Sequence, residues 1–166
     1  MTETSQTAQA AVIIERTYAA PLEELWALWT TRDGFESWWG PQGFRVEVSE
    51  MDARPGGALV YEMIADAPEA IAAMKAQGQP LSHATRGWFE AIEPMKRIVL
   101  KHSIDFVPGQ PVYDSQIDVD FYPVGEAVRM VTTLHPHLDP NWTDMAARGY
   151  GSQLTKLDER YGGGGR

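Results

Sequence analysis

The 166-residue sequence contains no cysteine. Disulfides, thiolate nucleophiles and cysteine-ligated metals are excluded, and the absence fits a reducing compartment. Basic residues are scarce: 14 lysines and arginines stand against 23 aspartates and glutamates, a net charge of −9. Such a surface repels phosphate backbones and anionic lipid, so neither nucleic acid nor a membrane is an expected partner. No apolar run approaches the length that crosses a bilayer. The opening "MTETSQTAQA" is polar, without a basic start and an apolar stretch behind it, so no secretory signal is expected. A cytoplasmic protein is the expectation. Walker-type and other phosphate-cradling glycine loops are missing, as is any Ser-His-Asp order.

What is present reads as alternating segments. The length suits one domain, expected over residues 11–161, between a disordered tail at 1–10 and a flexible one at 162–166. "AVIIERTYA" predicts a first strand. After Pro21, the residues Leu22, Leu25, Trp26 and Trp29 recur at i, i+3, i+4 and i+7, one face of a helix. A short helical turn from Arg32 to Trp38 is broken by Gly40-Pro41 and Gly43. The period then changes to two. Phe44, Val46 and Val48 alternate in one strand, and Leu59, Tyr61 and Met63 in the next, beyond the turn "RPGG". Asp66 to Glu69 has capping-box spacing and predicts a short helix to about Gln77. Strands follow over His83–Ile92, Ile98–Phe106, Tyr113–Phe121 and Val128–Leu134, with a loop at Val107–Pro111. Asp139-Pro140 then starts a long helix. Its apolar stripe is Trp142, Met145, Ala146, Tyr150, Leu154, Leu157 and Tyr161. Consecutive strands with short turns make an antiparallel sheet. The class is α+β, with about six to seven strands and the long helix covering one face.

The stretches "ERTYAAPLEELWALWT", "WWGP", "MDARPGGALVYEM", "RGWFEAIEPMKRIVL" and "GYGSQLTKLDE" carry a family likeness. Over residues 12–161 the chain resembles the activator of heat-shock-protein-90 ATPase homologue-like family, within the START-like superfamily (birch-pollen-allergen-like, SRPBCC). The resemblance implies the helix-grip fold, a curved antiparallel sheet around a long C-terminal helix with a hydrophobic cavity between them. One departure stands out. "ADAPEAIAAMKAQGQPLSHA" inserts a helix at about 65–82, where the family pattern has a short hairpin. It is either a lid over the cavity mouth or surface decoration.

Trp38 and Trp39 are adjacent, so one is expected in the core and the other at the cavity wall. Phase does not say which, because Gly40 interrupts the register. His102 is in phase with Ile98, Leu100 and Ile104, either as a hydrogen-bonded core residue or as a polar group in a pocket. Tyr61, Met63, Ile104 and Tyr113 share the inward phase of their strands, and Tyr150 lies on the helical stripe. These eight residues are the cavity candidates. His135, His137 and Asp139 have donor atoms suited to zinc, but their place at a strand-to-helix turn favours a plain loop with Asp139 as helix cap. No metal, cofactor or catalytic residue is expected. Asp114, Asp118 and Asp120 predict an outward acidic stripe facing Lys101 or Arg129. Gly149 and Gly151 inside the long helix predict close approach to the sheet or to a ligand, or a kink. The leading function is binding of a small hydrophobic or aromatic ligand. One rival is an enzyme of the polyketide cyclase type, with His102 and a tyrosine handling protons. Another is a co-chaperone stimulating a chaperone ATPase, with the chaperone as partner. Monomer and homodimer both remain open.

Overall fold

A computed structural model describes residues 11–104, 111–137 and 139–161. The expected tails at 1–10 and 162–166, and most of the loop at Val107–Pro111, lie outside the described residues. Seven strands form one sheet: β1 (Val12–Tyr18), β2 (Phe44–Met51), β3 (Ala58–Ala65), β4 (Ser82–Glu93), β5 (Arg97–Ile104), β6 (Tyr113–Val124) and β7 (Ala127–Leu134). Their order is β1-β7-β6-β5-β4-β3-β2, and every neighbouring pair is antiparallel. Strands β2 to β7 meander, and β1 closes onto β7.

Alternation assigns the faces. Ile98, Leu100, His102 and Ile104 of β5 are buried, as are Val128, Met130, Thr132 and Leu134 of β7. Register slips between Val48 and Glu50 and between Phe89 and Ala91 interrupt the ladder, and such bulges bend a strand and increase its twist. The resulting curved sheet faces helix α4 (Pro140–Tyr161), in the helix-grip arrangement. Tyr150, Leu154 and Leu157 of α4 join Val119, Phe121 and Met130 in one core cluster. Helices α1 (Leu22–Thr30) and α2 (Arg32–Glu36) add Leu25, Leu28, Trp29 and Phe35 to it. Asp139 caps α4 by accepting from Asn141 N–H at 2.9 Å. Met145, placed on the apolar stripe, is instead 54% exposed. No described helix is long and apolar enough to cross a membrane.

The insertion forms α3 (Pro68–Ala76), none of whose residues is buried. The capping box expected at Asp66–Glu69 does not form. Ala67 holds the N-cap position without a side-chain bond, with ψ 149°. The reason is Pro68: a residue before proline is pushed to extended backbone, so the helix begins one position later. Asp66 N–H donates instead to Gly43 O at 2.8 Å.

Candidate functional site

The site is built around the corner "WWGP". Trp38 points into the core and is 1% exposed. Its Nε1 donates to Leu28 O at 2.9 Å, and its ring meets the edge of Trp29 at 5.1 Å. Trp39 is buried in the same cluster and also meets Trp29, at 5.3 Å, but it borders the cavity as well. It stacks on Phe35 at 4.5 Å, and its Nε1 donates to the Tyr61 hydroxyl at 3.0 Å. Gly40 follows with φ +95°, a conformation that favours glycine. Its N–H donates to Gln153 Oε1 of α4 at 2.8 Å, so the corner is clamped to the helix.

Between this corner, β3, β6, β7 and α4 lies a cavity of about 210 Å³. Trp39, Tyr61, Met63, Ile117, Leu134 and Tyr150 give it apolar and aromatic walls, and Ser115, Thr143, His137 and Gln153 add polar groups. The two tyrosine hydroxyls are already engaged. Tyr150 shares a 2.6 Å hydrogen bond with Thr132 Oγ1. Tyr61 lies 3.0 Å from His102 Nε2. The Tyr61 oxygen accepts from Trp39 and lies beside both His102 and the Thr85 side chain, and the tautomer of His102 sets which partner donates in the Tyr61–His102 bond. Burial pushes His102 down to about 4, with His137 nearby adding to the effect. Burial raises both phenols well above their usual value, against smaller opposing effects of their hydrogen bonds. At neutral pH these three groups are uncharged. Gly87 sits opposite His102 in the register, and a Cβ there would lie 3.2 Å from His102 Cδ2 and 2.3 Å from Lys101 O. Glycine leaves room for the imidazole.

A second, outer groove of about 440 Å³ shares Pro41, Met63, His137 and Ala146 with the cavity. Met74, Pro80 and Leu81 of the insertion form one bank, and Trp142 and Met145 of α4 the other. The insertion therefore borders the approach to the cavity, and the exposure of Met145 belongs to this groove.

Of the eight candidates, Trp39, Tyr61, Met63 and Tyr150 are brought together in the cavity wall. The other four do not line it. Trp38 is core. His102 is 7% exposed and bonds to Tyr61. Ile104 is buried away from the cavity. Tyr113 gives its hydroxyl to a 2.6 Å contact with His137 Nδ1. Thr143 and Gln153, which sequence reasoning missed, line the cavity from one side of α4 together with Ala146, expected only on the apolar stripe, and Gly149, expected near the sheet or a ligand. The available signal was a helical spacing of three to four residues around Tyr150.

Two expectations need correction, on the partner of the acidic stripe and on the helical glycines. His135 and His137 do not converge: His135 Nε2 lies 2.9 Å from Asp118 Oδ2, while His137 meets Tyr113. Among the described residues no group of three His, Cys, Asp or Glu side chains could hold a metal. The acidic stripe is answered by Arg97, not by Lys101 or Arg129. Arg97 reaches Asp120 at 2.8 Å and Asp118 at 3.1 Å, because Arg97 is opposite Asp120 in the register. Arg129 pairs with Glu15 across β1 and β7. Burial pulls Asp118 up, but hydrogen bonds from His135 and Gln116, with Arg97 beside them, hold it below its ordinary value. Finally, a Cβ on Gly149 or Gly151 would meet nothing within 4 Å, so neither glycine marks close helix–sheet contact. Gly149 instead borders the open space of the cavity.

Fold and site together define a helix-grip domain with a cavity between the curved sheet and its long C-terminal helix. The family described as Activator of Hsp90 ATPase homolog 1-like protein matches residues 19–162, and the chain belongs to that family. A search of curated proteins found no match. Among solved structures, a Chromobacterium violaceum protein is 24% identical with a TM-score of 0.68, over 92% of this chain and 96% of that one. The AHSA1 protein from Silicibacter pomeroyi is 19% identical with a TM-score of 0.70, over 91% and 96%. A Staphylococcus epidermidis protein is 20% identical with a TM-score of 0.69, over 96% and 92%. At these identities the likeness is one of fold.

Proposed function

We propose that the protein binds a small hydrophobic or aromatic ligand in the cavity between the sheet and α4. The observation that carries this reading is the composition of the wall: three aromatic rings, Trp39, Tyr61 and Tyr150, with Met63, Ile117 and Leu134 around about 210 Å³. A concave apolar site with a few placed polar groups is the usual form of a small-molecule pocket. Rings held by internal hydrogen bonds, as Trp39–Tyr61–His102 are, lose little freedom on binding, and such preorganisation favours affinity. The cyclase-type alternative has less support. Its proposed proton-handling group, His102, is committed to Tyr61 and lies outside the wall.

The test is an NMR titration of the protein with α-methylstyrene, a small uncharged aromatic. Chemical-shift changes should concentrate at Trp39, Met63, Ile117 and Gly149 and saturate together. Changes confined to the sheet's outer face, or none at all, would reject the reading.

A further inference from the structure

Gln153 is 4% exposed and lines the cavity from α4. Its Oε1 accepts from Gly40 N–H. A backbone N–H can only donate, so the amide is fixed with oxygen toward Gly40 and nitrogen away from it. That nitrogen, Nε2, is buried and has no hydrogen-bond partner. Folded proteins seldom leave a buried donor in this state, because it loses its water and gains nothing. Two other buried nitrogens share the condition among the described residues, Trp29 Nε1 and Arg16 Nε. Trp29 is packed in the aromatic core, and Arg16 Nε lies 3.7 Å from Asp158. Gln153 alone of the three belongs to the cavity wall.

We infer that the ligand carries a carbonyl oxygen on its apolar or aromatic body, and that Gln153 Nε2 donates a hydrogen bond to it. The inference rests on the ligand-binding reading above and narrows the ligand class. A neutral carbonyl (ketone, aldehyde, ester or amide) suits the site better than a carboxylate. Among the described residues no lysine or arginine lines the cavity, and a buried carboxylate without a paired cation is strongly disfavoured. The "WWGP" corner then has a double role. Trp39 supplies an aromatic wall, and Gly40 N–H holds the glutamine amide with its nitrogen as the group left for the ligand.

The experiment compares acetophenone with α-methylstyrene, which have the same shape but present C=O and C=CH2 respectively. Both are titrated into the wild-type protein, with the Gln153 side-chain amide followed by NMR. Acetophenone should bind about tenfold more tightly, the ratio expected when a buried donor is satisfied. The Gln153 amide resonances should move with the ketone and not with the olefin. Gln153→Met should bind the two equally. Equal affinities in the wild type, or a ketone preference that leaves the Gln153 amide unmoved, would overturn this inference and leave the cavity reading standing. Binding of neither probe would overturn both.

Discussion

Trp38→Ala should lower the stability of the fold by about 3–5 kcal/mol, the range for truncating a buried large aromatic. Trp38 is 1% exposed, its ring meets both Trp29 and Trp39 edge-on, and its Nε1 satisfies Leu28 O. Removing it opens a void in close-packed core and strips a carbonyl of its donor. Trp39→Ala should cost less. One side of Trp39 already borders the cavity, so truncation enlarges an existing space. Binding should show the reverse order: Trp39→Ala loses most affinity for an apolar probe, and Trp38→Ala keeps it if the chain remains folded. Urea unfolding and probe titration of both variants check this. Equal destabilisation with unchanged probe binding would reduce the pair to a core plug.

Acidification should weaken the fold through His102. Its ordinary value of 6.5 is lowered to about 4 in the folded protein, chiefly by burial. The neutral ring is therefore favoured in the folded state, and the unfolded chain takes up a proton first as pH falls. The stability tied to neutral His102 is fully present above pH 6.5, declines below it, and is lost as pH falls through about 4. The size of the shift corresponds to about 3 kcal/mol. His102→Gln keeps a hydrogen-bonding partner for the Tyr61 hydroxyl but does not titrate. Unfolding curves at pH 7 and pH 4 should show the wild type losing about 3 kcal/mol more than this variant. Parallel losses would mean that His102 is not held neutral by its surroundings.

Much of the fold was legible because alternation is a backbone property. Ile98, Leu100, His102 and Ile104 were expected on one face of β5, and all four are buried there. The long helix after Asp139-Pro140 follows from its cap and stripe in the same way. The site was less legible, for a geometrical reason. Strand phase gives the face on which a side chain lies, but not its position along the sheet. Ile104 and Tyr113 share the inward phase at one end of the β5–β6 pair, yet the cavity reaches only Ser115 and Ile117 on β6. His102 has the right phase too, but Tyr61 takes its Nε2. Which tryptophan faces the cavity depends on the turn at Gly40, whose positive φ breaks the register. Gln153 was missed because hydrophobic periodicity does not count a glutamine, although it sits one turn beyond Tyr150 and beside Leu154. Its importance appears only with Gly40, 113 residues away in sequence.

If the space between α4 and the sheet is a binding site, Gly149 gives the most direct access to it. A Cβ at this position would meet nothing within 4 Å, and the residue borders the cavity. Gly149→Leu should therefore fold, and should gain up to about 1 kcal/mol of helix stability from replacing glycine. Its side chain would occupy the space that a ligand needs. The deciding measurement is the affinity of wild type and Gly149→Leu for α-methylstyrene, taken with the melting temperature of each. An intact or raised melting temperature is expected, with at least a tenfold loss of affinity, about 1.4 kcal/mol. A folded Gly149→Leu that binds the probe as well as the wild type would contradict the binding-site reading.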